Sequence, residues 1–289
     1  MTKIPKISVC TITYGHEKYI SQCIDGVLMQ EGNFELEFII SSDNSPDNTK
    51  QIIEDYINNH PKGSCIKFID RKENVGIMPN FYETINTSTG DYVAICDGDD
   101  FWTDKSKLQK QLNFLEKNQK YILVGHNVEI FDNETLDVLD SSFPFKKIET
   151  ISENFIYQKN YIPALSIMFR NVHKLPSWIL DCSIGDYPLI LYYSQFGKIG
   201  FMNDVMASYR KNTGYHSTVA KVKQIEMQEF SLKVVLAKSE LSKQQKELLN
   251  YQLLQMNINN SSFFNSIEKT FNANINYKLK LKLILNKLL

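Results

Sequence analysis

Residues 92–104, YVAICDGDDFWTD, end a run of strand-forming apolar residues in three aspartates spaced around one glycine. Carboxylates crowded onto a strand end repel one another, so the cluster is either a polar turn or one wall of a cation site. An EF-hand calcium loop needs oxygen ligands at alternate positions and a glycine at the sixth. Here the alternate position after Asp99 is Phe101 and the sixth residue is Trp102, which excludes that chemistry. Mg2+ or Mn2+ takes only one or two carboxylates and completes its shell with phosphate oxygens. Asp97 and Asp99, two residues apart, suit that task, with Gly98 leaving room for a ligand. Asp100 reads as no more than a turn residue.

The elements that position this cluster alternate between strand and helix over the first 125 or so residues, which predicts an α/β fold with a largely parallel sheet. Strands are expected at 7–13, 38–40, 66–69, 92–96 and 121–124. Tyr19, Ile20, Cys23, Ile24, Val27 and Leu28 give one apolar helical stripe. Ser45 and Pro46 look like the cap and first position of a second helix, and Pro79 like the opening of a third. In such folds ligands sit beyond the carboxyl ends of the strands. Thr13 and Tyr14, Asp43, and the aspartates at 97–100 all fall at those ends, so three distant polar clusters converge on one crevice. From 126 to 220 the pattern is less regular, with strand-like pieces at 126–131, 165–169 and 198–201 and a helix near 187–196. Residues 221–289 read as helical. Their end, NINYKLKLKLILNKLL, interleaves Lys278, Lys280, Lys282 and Lys287 with leucines. As a helix it suits a membrane surface; a tail packing on its own domain or on a partner chain fits equally well.

Bulk properties narrow the function classes. The 289 residues are 43% hydrophobic and 22% charged, enough to bury a sizeable core. With 32 basic and 33 acidic residues the net charge is −1, which argues against a general nucleic-acid binder. No apolar leader opens the chain, and no stretch approaches the roughly 18 apolar residues of a spanning helix. The five cysteines are scattered and never paired as C-x-x-C, as expected of reduced thiols in a cytoplasmic protein.

Four segments carry a family resemblance: SVCTITYGHEKYI, FIISSDNSPDNT, ENVGIMPNFYETINTSTGDYVAICDGDDFW and IGDYPLILYYSQFGKIGFMNDVMASYR. In this order, over residues 7 to about 210, they resemble a family-2 glycosyltransferase of the GT-A fold, the bacterial type that builds surface polysaccharides. The resemblance implies a Rossmann-like, mostly parallel central sheet flanked by helices, with a helical C-terminal tail. It implies a transferase domain over 1–220, whose 1–125 half binds a nucleotide-sugar and whose 126–220 half takes a glycan or lipid-linked acceptor. Residues 221–289 form an extension that it does not cover.

Carried over residue by residue, Thr13 and Tyr14 would flank the nucleotide base. Asp43 would accept the uracil N3–H, which a carboxylate can do and which favours UDP. Asn74 and Gly76 would line the nucleotide pocket. Asp97 would approach the ribose and the metal, and Asp99 would be the main ligand of Mn2+ or Mg2+. Asp186, in GDYPLI, stands where the family places its general base, or is simply a helix cap. Arg210 and His216 would contact the diphosphate or complete the metal shell, though for His216 a structural role fits as well. Gly15 stands where many members carry Asn, and Ser42 where many carry Asp. No Q-x-x-R-W and no spanning segment occur, so a single-sugar, non-processive transferase is expected; the base and metal that the resemblance implies make it inverting, and the chain is expected to be cytoplasmic or peripheral at the inner face of the membrane. The alternatives are a sugar-nucleotide-binding module or a sugar-phosphate nucleotidyltransferase-like protein. The latter would want a glycine-rich basic loop after the first strand, which TYGHEKYI does not supply.

Overall fold

The computed structural model describes residues 3–132, 135, 138–140, 149–211, 213 and 218–259, together with 270, 275 and 279. The first unit is β1 (Lys6–Thr13), α1 (Ile20–Leu28), β2 (Glu35–Ser42), α2 (Thr49–Asn59), β3 (Ile66–Asp70), α3 (Ile77–Thr87) and β4 (Tyr92–Ile95). β1 lies between β2 and β4, β2 pairs with β3, and all three pairings are parallel. Their residues alternate between two cores because successive side chains point to opposite faces of a strand. Ile7, Val9, Phe38, Ile40 and Ala94 face α1, α2 and α4 (Lys107–Lys117). Cys10, Ile39, Val93 and Ile95 face α3 and the C-terminal helices. A sheet covered on both faces explains why its strands read as continuous apolar runs.

Two helix starts differ from expectation. α2 begins at Thr49 rather than at Ser45–Pro46, because the Asp47 carboxylate accepts the Thr49 N–H at 3.1 Å and its hydroxyl at 2.6 Å. The same carboxylate takes the Glu17 N–H at 2.9 Å, so residues 45–48 form a loop tied to the end of β1. α3 begins at Ile77, ahead of Pro79, after Gly76 with φ +89°. Proline is tolerated there because a helix's first turn has no intrahelical partner for its N–H groups.

The second unit departs further. β5 (Phe101–Trp102), β6 (Tyr121–Asp132), β7 (Val138–Asp140), β8 (Glu149–Ile151), β9 (Met168–Arg170) and β10 (Lys198–Lys211) extend the sheet, with α5 (Glu153–Ile156) and α6 (Asp186–Tyr193) between them. The order β3-β2-β1-β4-β9-β6-β10-β5 places the short β9 antiparallel to both β4 and β6, and β5 antiparallel to β10. The sheet is therefore parallel in its first half and mixed in its second. β9 enters from a 3-10 turn at Ala164–Ser166 rather than from a helical crossover, and parallel pairing needs such a crossover. The pieces expected at 121–124 and 126–131 are one strand running through residue 125. β10 reaches Lys211, well past the four residues expected. Both lengths have one cause: the two strands pair in parallel from Lys198↔Tyr121 to Lys211↔Asp132.

The helices α7 (Lys221–Lys238) and α8 (Lys243–Asn259) pack onto this body, with Leu232, Val235, Leu248, Leu249 and Leu253 in the core shared with Phe169 and Tyr187. No helix among the described residues is long and apolar enough to cross a membrane. The lysines at 278, 280, 282 and 287, and His216, lie outside the described residues.

Candidate active site

The crevice opens at the ends of β1 and β4, where the strand order reverses direction. The Gly98 N–H donates to the Ile12 carbonyl at 3.0 Å, seating the DGDD turn on β1. A Cβ at Gly98 would lie 2.7 Å from Thr13 Oγ1 and 3.0 Å from His16 Nδ1. The glycine thus makes room for those two side chains rather than directly for a ligand. Thr13 is buried, its hydroxyl 3.1 Å from His16 Nδ1. Tyr14 is 50% exposed at the crevice rim, so it is no core aromatic. His16 is a residue that sequence reasoning passed over, although HEKY follows the first strand directly. Burial lowers its pKa, against the charges of Asp99 and Asp47.

Asp43 is buried, and its backbone N–H donates to the Thr13 carbonyl at 2.9 Å. Its two oxygens accept the Val75 N–H at 2.8 Å and the Gly76 N–H at 2.9 Å. The Asn74 side-chain oxygen takes a second share of the Gly76 N–H at 3.1 Å. Asp43, Asn74 and Gly76 are therefore one unit, a carboxylate clasping the turn before α3. Each Asp43 oxygen keeps a further lone pair for an incoming donor.

The acids of the DGDD turn differ in what they touch. Burial, then the charges of Asp99 and Asp186, push the half-buried Asp97 carboxyl up to about 8. Asp99 accepts the Thr213 hydroxyl at 2.9 Å. Asp100 is more than a turn residue: it is buried and accepts the Arg210 backbone N–H at 2.8 Å, tying β10 to the end of β4. Arg210 is buried as well. Its Nε donates to the Asp99 carbonyl at 2.8 Å, and its guanidinium lies 4.8–5.3 Å from the rings of Tyr19, Phe101 and Phe131. The arginine braces the turn from behind, within an aromatic box.

Asp186 is the first residue of α6, capped by Gly185 rather than acting as the cap itself. A Cβ at Gly185 would meet the Phe81 ring at 2.7 Å, so the close approach of α6 to α3 depends on that glycine. Asp186 accepts the Asn160 side-chain N–H at 2.9 Å. Its field reaches Asp97, and Tyr209 on β10 feels Asp100, Asp99, Asp186 and Asp97 together. With burial, these charges push that phenol well above its ordinary range. Tyr209, Thr213 and Asn160 were not singled out from sequence. Only Tyr209 had a signal, its place beside Arg210 in ASYR.

Among the described residues no three His, Cys, Asp or Glu side chains are grouped to hold a metal by themselves. The donor set nevertheless fits a divalent ion shared with a ligand. Asp97 and Asp99 are hard oxygen donors whose mutual repulsion a cation would relieve, and such an ion completes its shell with phosphate oxygens.

Comparison with known proteins agrees with this fold. The model of glycosyl transferase family 2 matches residues 8–175. An uncharacterised protein of Mycobacterium tuberculosis, Rv1520, is 30% identical over 210 residues, covering 71% of this chain and 59% of the relative. The chain thus spans about three fifths of the length of that relative. The structure of Staphylococcus aureus TarS residues 1–349 in complex with UDP-GlcNAc superposes with a TM-score of 0.66 at 19% identity, over 98% of this chain and 79% of TarS 1–349. The mannosyltransferase PcManGT of Pyrobaculum calidifontis, in complex with GDP-Man and Mn2+, gives 0.64 at 14% identity, over 99% of this chain and 80% of that one.

Proposed function

The chain belongs to glycosyl transferase family 2, and from that premise we propose that it moves one sugar from a nucleotide-sugar to an acceptor hydroxyl, inverting the anomeric centre. The donor is a UDP-sugar, and the acceptor a glycan or lipid-linked saccharide in surface polysaccharide synthesis. The observation that carries this reading is the convergence of Asp97 and Asp99, from the end of β4, with Asp186, from the start of α6. Two acids suited to a metal diphosphate thus share one site with a third suited to be a base, close enough for its charge to be felt at Asp97.

In this reading Tyr14 offers a ring face to the base, and Asp43 accepts the uracil N3–H through a remaining lone pair. Asp97 and Asp99 hold Mn2+ or Mg2+ when it is bound; the ion then supplies Lewis acidity to the diphosphate. Asp186 takes the proton of the acceptor hydroxyl. The acceptor oxygen forms its bond to the anomeric carbon from the far face, and the bond to the diphosphate oxygen breaks with its electron pair. Thr213 and Arg210 keep the Asp99 backbone and carboxylate in place. A titration of UDP, GDP and CDP by calorimetry, with and without Mn2+, tests the donor side. UDP should bind best and only with metal at full strength; failure of all three to bind overturns the reading.

A further inference from the structure

Asn160 is gripped at both ends of its amide. Nδ2 donates to Asp186 Oδ2 at 2.9 Å, and Oδ1 accepts the Ile162 N–H at 3.2 Å, a local turn of the kind asparagine favours. This double bond pattern sets which way round the amide faces. A flipped amide would put an acceptor against the carboxylate and a donor against the Ile162 N–H. The segment that carries Asn160 is itself fixed to α6. The Tyr157 hydroxyl lies 3.0 Å from Ser194 Oγ, and the Tyr187 hydroxyl donates to the Ile156 carbonyl at 2.7 Å. Phe155 and Tyr161 stack at 4.2 Å and close the loop between. Asn160 and Asp186 therefore sit on two elements that move together.

We propose that Asn160 is a positioning residue for the transfer step. It holds one oxygen of Asp186 so that the carboxylate keeps a single orientation toward the acceptor hydroxyl. The inference rests on Asp186 being the base. A neutral donor suits position 160, because a carboxylate there would set a second negative charge against Asp186 and offer it no hydrogen. An alanine there would remove this hydrogen bond from Asp186, and misplacing a reacting group by about 1 Å costs roughly 100-fold in rate.

The test uses the full chain with Mn2+ and the best-hydrolysed donor of a panel of UDP-, GDP- and CDP-hexoses, water taking the place of the acceptor. Asn160→Ala should lower kcat about 10- to 100-fold, with the donor KM, UDP affinity and Tm close to wild type. In an Asp186→Asn background the same change should cost almost nothing further, because two residues acting as a unit are not additive. Asn160→Asp keeps the acceptor for the Ile162 N–H, and so the turn, but loses the donor; it should lose at least as much activity. Wild-type kcat in either variant overturns the proposal. So does a loss that multiplies with Asp186→Asn, or one matched by equal losses of UDP affinity and Tm. If wild type hydrolyses no donor, or Asp186→Asn keeps full activity, the reading of the site fails first and takes this inference with it.

Discussion

The two sides of the crevice hold their carboxylates by different means. On the sheet side Asp43 is fixed by the backbone amides of Val75 and Gly76, and Asp100 by the backbone amide of Arg210. On the far side Asp186 is held by a side-chain amide, that of Asn160. A backbone donor is present whatever residue occupies the position, short of proline. A side-chain donor vanishes with one substitution. Asp43 and Asp100 are thus set by the path of the chain, whereas Asp99 and Asp186 also draw on side-chain donors, the Thr213 hydroxyl and the Asn160 amide.

Substitutions can break that contrast, beginning with the base. Asp186→Asn should lower transfer by about 1,000-fold or more while metal-dependent UDP binding stays within about twofold; product formation and calorimetry report the two separately. Full transfer activity in this variant would remove Asp186 from the mechanism. Asp99→Ala should weaken UDP binding about tenfold or more in Mn2+ and scarcely at all without metal. An equal loss in both conditions would mean that the DGDD turn had collapsed. On the backbone-held side, Asp43→Ala takes the acceptor from the part-buried Val75 amide and leaves the Gly76 amide with Asn74 Oδ1 alone, at roughly 1–3 kcal/mol in all. Thermal denaturation should show a fall in Tm on the order of 5–10 °C, and UDP affinity should drop with or without metal. A Tm that did not move would show that the clasp contributes nothing to holding the turn before α3.

The smallest expected effect lies at the seam between the two units. Trp102 Nε1 donates to the Leu165 carbonyl at 2.9 Å, and Gln111 Nε2 donates to the Val124 and Ser166 carbonyls. The fully buried Lys107 ammonium lies 3.7 Å from the Trp102 ring centre and donates to Gln111 Oε1 at 2.9 Å. Burial lowers its pKa from 10.5 to about 7, partly opposed by Cys96. Between those values the unfolded chain binds the proton more than the folded one, so this group makes stability rise with pH and lose that gain as pH falls toward 7. Lys107→Met should flatten the difference in Tm between pH 7 and pH 9.5 by a few degrees relative to wild type. An unchanged slope would mean that Lys107 is not the group responsible.

The same contrast decides what was legible in the sequence. β1, β2 and β4 stood out because a sheet covered on both faces demands apolar runs, and the edge strand β3 because its apolar residues are interleaved with exposed or polar ones. Their ends therefore located Thr13, Asp43 and the DGDD acids. β5, of two residues, carries no period to detect; the piece expected at 165–169 overlaps the three-residue β9 only at its end, and β10 runs over fourteen residues with its register broken at polar positions such as Asn203 and Asp204. The resemblance pointed to Arg210 as a contact of the diphosphate or the metal shell, but not to its ring contacts. Its box of Tyr19, Phe101 and Phe131 draws on three elements that no local pattern links. Asn160 left no trace, since an asparagine in a loop is ordinary until its partner is known.

By itself the sequence determined the first sheet unit, the acidic turn at its edge and the family to which the chain belongs. These follow from local periodicity and from motifs whose residues lie close together along the chain. Tertiary structure alone decided that Asp43 clasps a turn, that Asp100 anchors β10 and that Arg210 braces the DGDD turn from within an aromatic box. It also decided that Asn160 grips Asp186. Each of these is a hydrogen bond or ring contact spanning from about 25 to more than 100 residues of chain, and such pairings are fixed by how the sheet and helices pack rather than by any neighbourhood in sequence.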